Sequence, residues 1–122
     1  MKNLQLEYFE ISEFDSPDEE GSGSNMDVSF LEMLDEARDI ANTPFKINSG
    51  YRTIAHNSNV GGVANSSHLK GFAADIHCTN DEKRFIIINA LLLAGFIRIG
   101  VAKTFIHVDS DPDKNSDRLW TY

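Results

Sequence analysis

Apolar residues recur at helical spacing from Met26 to Asn42. Met26, Phe30, Met33, Leu34, Ala37, Ile40 and Ala41 fall on one face, with Asp27, Glu32, Asp35, Glu36 and Asp39 mostly opposite. Asn25 or Asp27 can cap the start of this helix, and Asn42-Thr43-Pro44 stops it. The Met and Phe stripe reads as core. A second helix, rich in Ile and Leu, is predicted from Asp81 to Ala94, with Thr79 or Asn80 as cap and Gly95 as stop. Short strands are predicted at Phe45 to Asn48, Phe72 to Cys78, Ile97 to Val101, Thr104 to Asp109 and Leu119 to Tyr122. Residues 4–14 mix aromatics and acids and read as a short strand or turn that packs Tyr8, Phe9 and Phe14 inward. Ser16 to Asn25 is a Pro, Gly, Ser and acid cluster, which predicts a flexible, solvated acidic loop. Helices and strands do not alternate regularly. The expected class is therefore α+β, with an antiparallel or mixed sheet carrying its helices mainly on one face.

Composition narrows the functional classes. At 122 residues the chain has room for one domain, 1–122, with a hydrophobic core of its own. Its net charge of -8 argues against generic binding to nucleic acid or to an anionic membrane surface, both of which need a basic footprint. The longest apolar run, Phe85 to Phe96, is too short for a membrane span and contains Asn89. The start, MKNLQLEYFEISEF, lacks the basic, apolar and small-residue pattern of a secretion signal, so synthesis in a cytoplasm is expected. A monomer is expected. Cys78 is the single cysteine, which excludes an intrachain disulfide but leaves a metal clip of His and carboxylates open. It reads as a small buried residue and not as a nucleophile.

The chemistry is concentrated between Asn48 and Asp75, where a Ser-Gly-Tyr-Arg turn, a Gly-rich loop and a His–Asp pair with six residues between them follow one another. Such polar and small residues are poor core material and good material for a site. Residues two apart on a strand share a face, so Asp75 pairs with His77, and His107 with Asp109. If those strands are neighbours, four potential ligands converge, and His68 can complete the set. His68, Asp75 and His107 have the number and type of a catalytic zinc site with one position left for water. That water would be acidified and a carbonyl polarised, a route to amide hydrolysis without a nucleophilic Ser or Cys. Spacing alone leaves satisfied structural histidines as the competing reading.

Ser49-Gly50-Tyr51-Arg52, Asn57-Ser58-Asn59-Val60-Gly61-Gly62, the run from Ser67-His68 to Ala74-Asp75-Ile76, and Ile106-His107-Val108-Asp109 resemble the D-alanyl-D-alanine carboxypeptidase family of zinc peptidases. The likeness is to its short phage-encoded and bacterial members, which act on peptidoglycan stem peptides, and it runs from Glu13-Phe14 to Trp120. It implies a small α+β fold shared with the hedgehog signalling domain and lysostaphin-type peptidases, and a zinc-dependent hydrolase acting on the cell wall as a carboxypeptidase or a phage endolysin. Position by position, it implies His68, Asp75 and His107 as zinc ligands and Arg52 as the arginine that binds substrate or a carbonyl developing charge. Ser67, beside the first ligand, either binds substrate or steadies the turn. Gly61, Gly62 and Gly71 are expected to let backbone approach the site or to adopt positive φ.

One departure stands out. Several relatives carry a Glu or Asp three residues before the last zinc His, and here that place is Thr104. Asp109 is the nearest substitute as catalytic base, with a supporting carboxylate as its alternative role. His77 is a proton donor, a fourth ligand or a structural His, and His56 a surface residue. The missing carboxylate also leaves room for a different class: a zinc-stabilised, non-catalytic wall- or peptide-binding module, or a phage structural protein.

Overall fold

The computed structural model describes residues 5–122. Residues 1–4, which belong to the stretches read above for a secretion signal and a first strand or turn, lie outside them. In chain order the elements are α1 (Val28–Ala41), β1 (Ile47–Ser49), α2 (Ile54–Asn59), β2 (Ala73–His77), α3 (Asp81–Ala94), β3 (Arg98–Val101), β4 (Phe105–Asp109) and β5 (Arg118–Thr121), with short 3-10 turns at Ile11–Phe14, Ser22–Asn25 and Ser67–Lys70. The strands form one sheet in the order β1-β2-β4-β3-β5. All neighbours are antiparallel except β3 and β5, so the sheet is mixed, and the α+β class holds. No helix among the described residues is long and apolar enough to cross a membrane.

Local chemistry explains the helix bounds. The Asp27 carboxylate accepts the Phe30 N–H at 2.9 Å and starts α1; Asn42, at φ 51, ends it in the left-handed conformation. Asn80 caps α3 through the Lys83 N–H, and Gly95, at φ 109, closes it. On α1 the buried residues are Phe30, Leu31, Leu34 and Ala37, while Ile40 is exposed. The buried stripe is therefore rotated toward Leu31 from the one expected. The core joins these side chains to Ile87 and Leu91 of α3, to Phe14, Phe45 and Phe96, and to Ala74, Ile76, Ile99, Ile106 and Val108 of the sheet.

Two N-terminal expectations change. Phe9 and Phe14 are buried, but Tyr8 lies at the surface, where its hydroxyl donates to Asp39 and its N–H to Asp35. Residues 16–25, expected as a loose acidic loop, are tied down by their own polar atoms. Asp15 accepts the N–H groups of Gly21 and Gly23 at 2.9 and 2.7 Å, and the buried Ser22 hydroxyl accepts the Ser16 N–H at 2.7 Å. Asp18 accepts the Thr53 hydroxyl at 2.6 Å, fastening the segment to the residue that caps α2.

Candidate metal centre

Strand alternation builds the site. On β2, Ala74 and Ile76 face the core, so Asp75 must face the other way; on β4, Ile106 and Val108 do the same for His107 and Asp109. The antiparallel register sets Asp75 directly opposite His107. His68 reaches them from the 3-10 turn Ser67–Lys70, where its N–H donates to the capping Ser66 hydroxyl. His68, Asp75 and His107 are all buried and each offers a ligand atom within 4.8 Å of the others.

The hydrogen bonds around the two imidazoles decide which nitrogens face inward. His68 Nδ1 lies 2.8 Å from the Gly50 carbonyl, which can only accept, so the ring donates there and turns the Nε2 lone pair toward Asp75, 3.4 Å away. His107 Nε2 lies 2.8 Å from Asp109 Oδ2, and His107 Nδ1 lies 2.8 Å from Asp75 Oδ1. Two imidazole nitrogens and a carboxylate thus converge with nothing but lone pairs between them unless a cation or a proton supplies the charge. Titration behaviour points the same way. Burial pushes Asp75 up, but the His107 and His68 rings beside it outweigh that and hold its carboxyl well below the usual range. Burial lowers His107, yet the bonds to Asp109 and Asp75 prevail and raise it. The centre favours positive charge, and its N, N, O donor set suits a zinc ion.

A cleft of about 370 Å³ opens over these three residues, with Arg52, Val63, Arg98, Phe105, Lys114 and Trp120 among its walls. Arg52 is pinned by Ser49 Oγ on Nε at 3.0 Å and by Asn57 Oδ1 on Nη1 at 3.2 Å, with Nη2 3.5 Å from Asp75. Its backbone N–H donates to the His68 carbonyl, which joins the Arg52 backbone to the turn bearing His68. Three cationic side chains, Arg52, Arg98 and Lys114, therefore line the cleft of an otherwise acidic protein.

Other expected site residues sit differently. Ser67 is 2% exposed; its hydroxyl donates to Asp111 at 2.8 Å and accepts from Lys114 at 2.9 Å, which leaves it holding the turn and not a substrate. Asp109, 1% exposed, has Oδ1 on Arg98 Nε at 2.6 Å and Oδ2 on His107. Both oxygens are engaged, so the supporting role left open above fits it better than that of a base. His77 is exposed at the end of β2, opposite Phe105, and does not join the three ligands. His56 is half-buried on α2. Cys78 is buried. Gly61 and Gly71 adopt positive φ, and Gly62 packs against the Asn57 side chain that pins Arg52.

Arg98 was not among the predicted site residues. The available signal was alternation: it is a charged residue two positions before Gly100 on a strand whose Ile99 faces the core. The α2 helix and the 3-10 turn bearing His68 were also unpredicted, because segments this short carry no periodicity.

This fold draws two histidines and an aspartate together from β2, β4 and a preceding turn, as a candidate metal centre. The family model for peptidase M15 matches residues 5–109, and the chain belongs to that family of zinc peptidases. It is also similar to a zinc D-Ala-D-Ala carboxypeptidase of Streptomyces albus G, with 52% identity over 33 residues. That likeness covers 27% of this chain and 13% of the length of the relative.

Proposed function

We propose that the chain hydrolyses a peptide bond in peptidoglycan stem peptides or cross-links, as a carboxypeptidase or endolysin-type endopeptidase, with His68, Asp75 and His107 holding zinc. The observation that carries this is the convergence of His68 Nε2, His107 Nδ1 and Asp75 Oδ1 at the floor of the cleft, with the outward nitrogen of each ring already committed to an acceptor. Bound zinc would acidify a water and polarise the scissile carbonyl. Arg52, held by Ser49 and Asn57 with donors to spare, would bind a substrate carboxylate or the carbonyl oxygen as charge develops on it. Arg98 and Lys114 also line the cleft, which favours an acidic peptide despite the net charge of the whole chain. The D-Ala-D-Ala bond named for the Streptomyces relative is the first substrate to try.

A specific observation favours a second reading, a zinc-held binding module without catalysis. Thr104 stands where several relatives carry a carboxylate, and Asp109 has no free oxygen with which to replace it.

One experiment separates the two. Bound metal is quantified in the purified protein, which is then incubated with purified peptidoglycan, and released fragments are read by mass spectrometry beside His68→Ala. Stoichiometric zinc and new peptide termini, both lost in His68→Ala, support the peptidase, and the fragment masses name the bond. Zinc without cleavage across several wall types supports the binding module. Absence of zinc from protein refolded with it would overturn both.

A further inference from the structure

We propose that Asp109 and Arg98 form a positioning chain that fixes the tautomer and aim of His107. This rests on the reading that His68, Asp75 and His107 hold a divalent metal. The chain is read atom by atom. Arg98 Nε donates to Asp109 Oδ1 at 2.6 Å, and Asp109 Oδ2 lies 2.8 Å from His107 Nε2. His107 faces an acceptor-only carboxylate at each nitrogen, so were Nδ1 to take a metal beside Asp75 and His68, the one proton left on the ring would stay on Nε2, donated to Asp109. Asp109 accepts a further N–H, from Asp111, at 3.3 Å and is 1% exposed. Three donors from three parts of the chain therefore converge on one buried carboxylate, which fixes its place beside His107.

Arg98 is itself fixed from three sides. Its Nη1 donates to the Asn115 carbonyl, its Nε to Asp109, and its guanidinium lies 5.2 Å from the centre of the Trp120 ring. Trp120 in turn packs against His107, with ring centres 5.6 Å apart. The imidazole is thus gripped at Nε2 by Asp109 and across its ring by the indole that Arg98 covers. Partners of this kind orient a metal-bound histidine and raise its basicity, and losing one typically costs roughly 10–100-fold in metal affinity.

The test measures metal binding and tautomer, not cleavage alone. Zinc dissociation constants are obtained by chelator competition for the wild type, Asp109→Ala, Asp109→Asn, Arg98→Ala and Arg98→Lys, with folding checked by amide spectra. Nitrogen NMR of labelled histidines reports the His107 tautomer in the wild type, a readout that needs no variant to fold. Asp109→Ala should weaken zinc binding roughly 10–100-fold. Arg98→Ala should show part of that loss and Arg98→Lys recover some of it, and the wild-type ring should carry its proton on Nε2. Wild-type affinity for zinc in folded Asp109→Ala and Asp109→Asn would overturn the proposal, most directly if cleavage were lost in the same proteins. A proton on Nδ1 of His107 in the zinc-loaded wild type would also overturn it. A wild type that binds no zinc would sink the ligand reading and this one with it.

Discussion

The two faces of strands β2 and β4 are made from alternate residues of the same segments, yet they are held by different means. On the helix side, Ala74, Ile76, Ile106 and Val108 meet α1 and α3 through contacts that have no direction. On the cleft side, Asp75, His107 and Asp109 are held by one another and by Arg52, His68 and Arg98 from other parts of the chain. The first face tolerates a change of shape at the cost of stability. The second tolerates a change of stability but not of chemistry. The apolar layer behind the strands makes the difference possible, because it fixes the backbone on which the polar face is aimed.

The sharpest way to break this comparison is to remove one ligand and ask what else falls. His68→Ala should abolish zinc retention and reduce peptide cleavage roughly a thousandfold or more, since a metal supplies several kcal/mol of charge stabilisation. The metal-free proteins, wild type and variant, should unfold at similar urea concentrations. A large loss of metal-free stability in His68→Ala would mean that the polar face also carries the fold.

The opposite substitution attacks the helix side. Ile106 is fully buried, next to His107 on β4 and opposite Ile76 of β2. Ile106→Ala should cost about 2–5 kcal/mol in urea unfolding. The fraction that remains folded should bind zinc nearly as tightly as the wild type. Loss of affinity in folded molecules would show that the two faces are not separable.

Gly100 sharpens the comparison, because it lies on β3 opposite His107 and beside Trp120 of β5. A Cβ there would sit 2.6 Å from Trp120 Cε2 and Nε1, so the indole can cover the histidine only because this position has no side chain. Gly100→Ala should cost about 1–3 kcal/mol and displace the ring. Trp120 is the single tryptophan, so its fluorescence reports the displacement directly. An unchanged emission spectrum with unchanged stability would remove the indole from the account of how His107 is held.

The helix side was legible in the sequence and the cleft side only in part, for a physical reason. Burial of α1 and the central strands follows from periodicity, and even the misplaced Ile40 shifts the stripe by only a fraction of a turn, whereas α3, apolar nearly throughout, exposes Phe85, Leu92 and Leu93. That Asp75 and His107 come together was also legible from strand alternation, and the family motifs add His68 to them. What Ser67 and Asp109 do was not, since each role depends on a partner distant in the chain: Asp111 and Lys114 for one, Arg98 for the other. The ordering of residues 16–25 was hidden in the same way, because Asp15, Ser22 and Asp18 form bonds that composition does not record.

The smallest expected effect tests whether such distant partners stabilise as well as position. Asp111, 3% exposed, accepts the Ser67 hydroxyl, the Asp113 N–H and the Lys70 ammonium, and so ties the segment after β4 to the turn bearing His68. Burial pushes its carboxyl up, but the Asp113 N–H, Ser67 and Lys70 outweigh that and hold it below its ordinary value. The folded pKa is therefore lower than the unfolded one. The stabilisation is complete above roughly pH 4 and is lost as pH falls through the depressed value. Asp111→Asn keeps the shape and removes the charge. It should cost about 1–2 kcal/mol at neutral pH, discounted for the solvent around the partly exposed Lys70. The gap between wild type and variant in urea unfolding should narrow as pH is lowered below roughly 4, because protonation removes from the wild type what the substitution has already removed. A gap that stayed constant down to about pH 2 would mean that Asp111 acts through shape alone, and the cleft side would then resemble the helix side more than its wiring suggests.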